Sequence, residues 1–362
     1  MNILDLAQAG TSVWLDDLSR AKLTGSDHHS LPHRIAADGV VGVTTNPSIF
    51  GAAITGATEY AADIAEMKGA GVEEVIRKLT TDDVRKACDL FDDIYKYSGG
   101  VDGRVSIEVD PRLAHETAPT IEEGKELRNI VDRQNVMIKV PATKAGLPAI
   151  TALIADGISV NVTLIFSVER YAEVIDAFMK GLEERSAKGL PLNEIHSVAS
   201  FFISRIDTAI DAQLKSLGNS ELLGKAAIAN AHLAYELFES QLHSQRWEKL
   251  AALGAHMQRP LWASTGVKDP RYDDTRYVLE LVAPHTVNTM PQGTLDAVID
   301  HGVFKGNTIA GKYDQARADI SALADVGISL DQVTHDLEED GVKKFSEAWV
   351  SLLESVSAVL AK

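Results

Sequence analysis

Val136-Met137-Ile138-Lys139-Val140-Pro141 is an apolar run interrupted by a single amine. Six residues of this character, closed by proline, read as a short buried strand rather than a helix. Strand cores seldom hold lysine. A charged ammonium withdrawn from water is destabilising unless it is paired or gives up its proton, and burial or a neighbouring cation favours the neutral amine. A neutral amine is a nucleophile that condenses with carbonyls to a Schiff base. Lys139 is therefore a candidate covalent catalyst. The alternative for an isolated lysine is an end-of-strand residue that snorkels to solvent.

The same kind of run recurs along the chain. Strands are expected at Thr11 to Asp16, Val40 to Thr45, Arg104 to Val109, Val136 to Val140, Ser159 to Thr163, His196 to Ser200, Leu261 to Ser264 and near Thr286 to Asn288. Amphipathic helices fall between them, at Glu122 to Gln134, Lys144 to Ala155, Ser167 to Lys180 and Ser204 to Leu217. Short apolar strands alternating with helices predict a parallel α/β architecture, and eight of them predict a (β/α)8 TIM barrel with additional helices. Residues 1–362 read as one such domain. Helical insertions lie near 60–97 and 220–250, and a C-terminal helix from Asp340 to Leu360 is expected to cover one face.

Active sites of such barrels sit at the C-terminal strand ends. Those ends carry Asp16, Thr44-Thr45-Asn46, Glu108, Lys139, Asn161 and Thr163, Ser200 and Ser264. Singly, Asp16, Ser200 and Ser264 suit helix caps, Thr163 suits a strand, and Asn46 before Pro47 suits a turn. Those readings leave unexplained why carboxylates and an amine interrupt apolar strands of one sheet. Glu108 and Lys139 fall on adjacent strands, each one residue before a valine, so both can face one interior. A bare buried ion pair there would stabilise little, because desolvation opposes attraction. Schiff-base chemistry needs a proton shuttle for loss of water and a base for carbon–carbon cleavage. Glu108 and Asp16 can supply these.

Composition bounds the partners. The chain has 362 residues, 45% of them hydrophobic, which is enough for a large core without disulfides or structural metals. Cys88 is the only cysteine, which excludes an internal disulfide and thiolate clusters. The formal charge of −17 argues against nucleic acid and anionic membrane as partners. An anionic substrate would need cations focused locally, which draws attention to Arg205 and Lys268. The N-terminus, Met1-Asn2-Ile3-Leu4-Asp5, lacks a basic segment followed by an apolar core, and no stretch is long enough to span a bilayer, so a cytoplasmic location is expected.

Taken in order, these segments resemble transaldolases. The resemblance rests on Val13-Trp14-Leu15-Asp16, Val43-Thr44-Thr45-Asn46-Pro47-Ser48-Ile49-Phe50, Val105-Ser106-Ile107-Glu108-Val109-Asp110 and Met137-Ile138-Lys139-Val140-Pro141-Ala142-Thr143. It continues through Val160-Asn161-Val162-Thr163-Leu164-Ile165-Phe166-Ser167, Ser200-Phe201-Phe202-Ile203-Ser204-Arg205-Ile206-Asp207, Trp262-Ala263-Ser264-Thr265 and Thr286-Val287-Asn288-Thr289-Met290-Pro291. It implies a class I aldol mechanism, free of metal and cofactor, on a (β/α)8 barrel. A dihydroxyacetone unit would pass between sugar phosphates: from sedoheptulose 7-phosphate to glyceraldehyde 3-phosphate, giving erythrose 4-phosphate and fructose 6-phosphate, in the pentose phosphate pathway. By the same resemblance Lys139 forms the Schiff base, and Glu108 relays protons through a water held with Thr163. Asp16 is the general base and acid. Asn46, Asn161 and Ser200 hold the dihydroxyacetone fragment, and Arg205 and Ser264 hold the phosphate.

One departure stands out. Many family members have an arginine two residues after the strand-seven serine, whereas this chain reads Ser264-Thr265-Gly266-Val267-Lys268. Lys268 is the candidate replacement, with a solvated loop lysine as the alternative. Asp17 competes with Asp16 for the acid position. A monomer or homodimer is expected. Other readings are a fructose 6-phosphate aldolase-like lyase, whose relatives are much shorter, and a catalytically silent sugar-phosphate-binding barrel.

Overall fold

Eight strands pair in sequence order and close, with β1 (Thr11–Leu15) hydrogen-bonded to β8 (Thr286–Met290) from Thr11↔Thr286 to Leu15↔Met290. This computed structural model describes residues 3–361. The N-terminal reading at Met1 and Asn2 lies outside the described residues. The remaining strands are β2 (Gly42–Val43), β3 (Arg104–Glu108), β4 (Val136–Pro141), β5 (Val160–Ile165), β6 (Ser197–Phe202) and β7 (Gln258–Ala263). All pairs are parallel. β3 to β8 are buried at every position, as expected of strands covered by barrel filling on one side and helices on the other.

Several boundaries differ from expectation. β2 is two residues rather than Val40 to Thr45, although Val41 and Thr44 still donate to Val13 and Leu15 at 2.9 Å on either side of it. β7 starts at Gln258, not Leu261. Gln258-Arg259-Pro260 looks like loop because it is polar and holds proline, yet it pairs with Ser197, Val198 and Ala199. β5 and β6 run two residues further than expected. In β5 the extension passes through a bulge between Val162 and Ile165, where Leu164 takes φ 61°.

The 60–97 stretch is broken into helices Ala61–Glu66, Val72–Leu90 and Asp92–Tyr97. The 220–250 stretch contains Ala226–Leu242 and Gln245–Ala252. The C-terminal helix runs from Leu330 to Leu360, not from Asp340. Ser329 caps it by accepting from Gln332 N–H, and its charged first half conceals the start from pattern reading. It lies over the barrel mouth: a Cβ on Gly341 would stand 3.1 Å from Leu164 and 3.7 Å from Arg205 Nη1. Among the described residues no helix is long and apolar enough to cross a membrane.

Candidate active site

Register places the candidate groups. Glu108 on β3 is the partner of Lys139 on β4, which is the partner of Asn161 on β5. Register partners in adjacent strands present their side chains to the same face, so all three project into the barrel. Lys139 is 4% exposed. Its ammonium donates to Thr45 O at 3.0 Å and lies 3.3 Å from Glu108 Oε2. The ring of Phe345, from the C-terminal helix, lies 5.5 Å from it. Burial pushes the Glu108 carboxyl up to about 7, against the lowering pull of Lys139. Among the described residues, neither Glu108 oxygen has a hydrogen-bond partner beyond that ion pair.

A cavity of about 140 Å³ opens above Lys139, lined by Asp16, Asn46, Thr163, Ser200, Arg205, Ser264 and Lys268 among others. Asp16 accepts from Thr44 Oγ1 at 2.6 Å. Burial raises its carboxyl above the usual range, while Lys139 and Thr44 pull it down. Asp17 turns away to pair with Lys22 at 3.2 Å. Of the two adjacent acids, Asp16 is therefore the one facing the cavity.

Asn46 caps helix Pro47–Ile54, its Oδ1 accepting from Ile49 N–H at 3.0 Å, and also lines the cavity. Thr163 is fully buried beside the β5 bulge, and its Oγ1 has no partner among the described residues. Asn161 is also fully buried. It donates to Ser106 Oγ at 3.0 Å and accepts from Ser200 Oγ at 2.7 Å, forming a row across the barrel interior.

Two groups stand apart from the cavity wall. Asn161 is held in that row. Glu108 opens onto a second cavity of about 40 Å³, shared with Trp349 and Glu123, and meets the main cavity through the Lys139 amine.

The rim is cationic. Arg205 enters from the first turn of helix Ser204–Ser216, its guanidinium 5.2 Å from the Phe202 ring and its buried Nη1 without a partner among the described residues. Burial pulls it below the ordinary arginine value, with Asp340 opposing. Ser264 follows β7 at φ 55°, its hydroxyl 3.0 Å from that of Ser204. Lys268 is exposed, with its ammonium 3.8 Å from where a Gly266 Cβ would stand. The adjacent Asp269 pairs with Arg271 and Lys215 instead. Two cations, two hydroxyls and an unpartnered N–H at one rim suit a phosphate. Among the described residues, no three His, Cys, Asp or Glu side chains are grouped so as to hold a metal ion.

Thr44, Thr289 and Phe345 also line the cavity and had no assigned part. The Thr44 hydroxyl is 2.6 Å from that of Thr289, and both residues belong to strand-end segments shared with the family. Phe345 has no local signal at all, since only the docking of a distant helix brings it there.

Comparison with known proteins converges on one family. The profile described as transaldolase/fructose-6-phosphate aldolase matches residues 13–356. A protein named transaldolase 1 from Streptomyces avermitilis is 57% identical over 364 residues, covering 99% of this chain and 96% of that protein. A transaldolase from Mycolicibacterium smegmatis is 57% identical over 365 residues, covering 99% and 97%. A protein named transaldolase 2 from Streptomyces coelicolor is 54% identical over 362 residues, covering 99% and 96%.

Proposed function

The chain belongs to the transaldolase/fructose-6-phosphate aldolase family, and from that premise we propose that it is a transaldolase working through a Schiff base on Lys139. The observation that carries the assignment is the Lys139 amine. It is buried at the end of β4, beside Glu108, on the floor of a cavity that also holds Asp16 and is rimmed by Arg205 and Lys268.

The ketose phosphate enters with its phosphate on Arg205, Ser264 and Lys268, which sets its carbonyl toward Lys139. The neutral amine adds to the carbonyl carbon and gives a carbinolamine. A carboxyl that changes protonation near pH 7 can give a proton to the departing hydroxyl and take one back, which suits Glu108 to the shuttle. Thr163 Oγ1, buried and without a partner among the described residues, holds the water in transit.

Loss of water leaves an iminium. Asp16, made more basic by burial, removes the proton of the hydroxyl β to that carbon. The carbon–carbon bond breaks, its electron pair moves into the enamine, and the shortened aldose phosphate departs. The enamine then attacks the aldehyde carbon of the acceptor, Asp16 returns its proton, and hydrolysis of the new iminium frees product and amine.

Sedoheptulose 7-phosphate as donor and glyceraldehyde 3-phosphate as acceptor give erythrose 4-phosphate and fructose 6-phosphate, within the pentose phosphate pathway. Phe345 and the C-terminal helix restrict water over the intermediate, which favours transfer over release of free dihydroxyacetone.

Fructose 6-phosphate with borohydride should fix one reduced three-carbon adduct per chain, and peptide mapping should place it on Lys139. An adduct on another lysine refutes the assignment. Turnover that proceeds without any aldose phosphate acceptor refutes transfer in favour of cleavage.

A further inference from the structure

At the barrel end opposite the catalytic mouth, where β3, β6 and β7 begin, there is a cavity of about 360 Å³. Its walls include Arg104, His196, Trp247, His256, Met257 and Arg259. The size falls within the range of small-molecule sites.

Arg104 is the informative residue. It is 1% exposed. Its Nε donates to Gly100 O at 2.7 Å, its Nη1 reaches Gln134 O at 3.3 Å and Ser159 Oγ at 3.4 Å, and its guanidinium lies 4.8 Å from the Tyr95 ring. Its Nη2 is buried with no hydrogen-bond partner, and among the described residues no carboxylate pairs with it. A buried cationic N–H left unmatched is destabilising, and the bonds made by Nε and Nη1 do not offset that cost at Nη2.

The neighbouring Arg259 is already matched by Asp102 at 3.0 Å. The cavity therefore holds a surplus positive charge in a chain of net charge −17. Burial and Arg259 bring Arg104 down to about 10, which leaves it cationic at neutral pH.

The other polar group is His196, 7% exposed. Burial, reinforced by Arg104 and the other cations, pushes it down to about 2, so it is a neutral imidazole able to donate one hydrogen bond. It stacks on His256 at 4.1 Å with the rings 18° apart, forming a flat wall. Gly100 sits between the two nitrogens with φ 83°: a Cβ there would stand 3.1 Å from His196 Nε2 and 3.2 Å from Arg104 Nη2. Any side chain at this position would press on both nitrogens, which glycine avoids.

We propose that this cavity binds a small organic anion with a flat apolar body, its charged head drawn to the Arg104 guanidinium and His196 and its body against the stacked imidazoles, Trp247 and Met257. The site is separate from the barrel mouth, and the proposal does not depend on the aldol chemistry.

Calorimetric titration of the full-length protein with phenyl phosphate and, in parallel, benzoate tests it. An Arg205→Met background removes the main anion donor of the catalytic mouth. One saturable site is expected for at least one probe, and the preferred probe identifies the head group as phosphate or carboxylate. Adding Arg104→Met should weaken binding tenfold or more. Adding Ala255→Trp, which fills the cavity from its half-buried rim without touching the arginine, should do the same. Circular dichroism and the urea midpoint establish that each variant is folded, and Ala255→Trp decides the matter if Arg104→Met does not fold. Absence of saturable binding by both probes, or affinity unchanged in the Ala255→Trp protein, overturns the proposal.

Discussion

Replacing Glu108 by glutamine should change how the stability of the protein depends on pH, with a sign and size that follow from the site. Glu108 is buried, its side chain 3% exposed, and desolvation raises its carboxyl from 4.5 to about 7 in the folded state. Between those two values the folded protein binds the proton more tightly than the unfolded chain does. The contribution is fully present below pH 4.5 and is lost as pH rises through about 7. At ~1.4 kcal/mol per decade of proton activity, the interval amounts to about 3 kcal/mol. Glu123 is raised to about 7 by burial as well, and Asp16, Asp83 and Asp207 are also raised, so the wild-type slope alone is a composite. The difference between wild type and Glu108→Gln isolates one carboxyl. Urea unfolding of both proteins at half-unit steps from pH 4.5 to 8.5 should show the wild type losing about 3 kcal/mol relative to the variant. Parallel curves would refute the claim that this carboxyl is held protonated by burial against its lysine. A wild type that gains on the variant with rising pH would show that the ion pair dominates instead.

Lys139→Ala should lower turnover by ~10⁴-fold or more and abolish borohydride trapping while the circular dichroism spectrum is unchanged; residual turnover near wild type sinks the Schiff-base assignment. Thr163→Val keeps the shape of a fully buried side chain and removes only an unpartnered hydroxyl, so kcat should fall by ~10²-fold with little change in melting temperature. Arg205→Met should raise KM for the sugar phosphates by about 10–100-fold and leave KM for unphosphorylated dihydroxyacetone unchanged, since a charge-assisted hydrogen bond to phosphate is lost. Phe345→Ala opens the cavity to water, so the ratio of free dihydroxyacetone to transferred product should rise, as read by enzymatic assay of both.

Strand number, strand order and the gathering of Asp16, Lys139, Thr163 and Ser200 around one cavity were readable because most strands are short apolar runs with a polar group near the C-terminal end. Glu108 and Lys139 could be paired because each sits one residue before a valine near the end of its apolar run, and the register bears this out. Gln258-Arg259-Pro260 was not readable as strand: its pairing with Ser197-Val198-Ala199 overrides a composition typical of loops. The first ten residues of the C-terminal helix were hidden for a similar reason. Their charged surface gives a weak pattern, and only Val333 and Thr334 are buried there.

The amino-acid sequence alone was enough to reach the architecture and the family, and it nominated the candidate groups at the strand ends, because alternation of apolar runs and polar strand ends is written in residue order. Tertiary structure decided what no neighbour in sequence can report. It turned Asp16 rather than Asp17 to the cavity. It set Glu108 behind the lysine, facing a separate pocket with Trp349. It brought Phe345 from the far end of the chain to within 5.5 Å of the amine. The physical reason is desolvation: whether a carboxyl, an amine or a guanidinium is a solvated ornament or a reagent depends on what packs over it, and those groups come from all around the barrel.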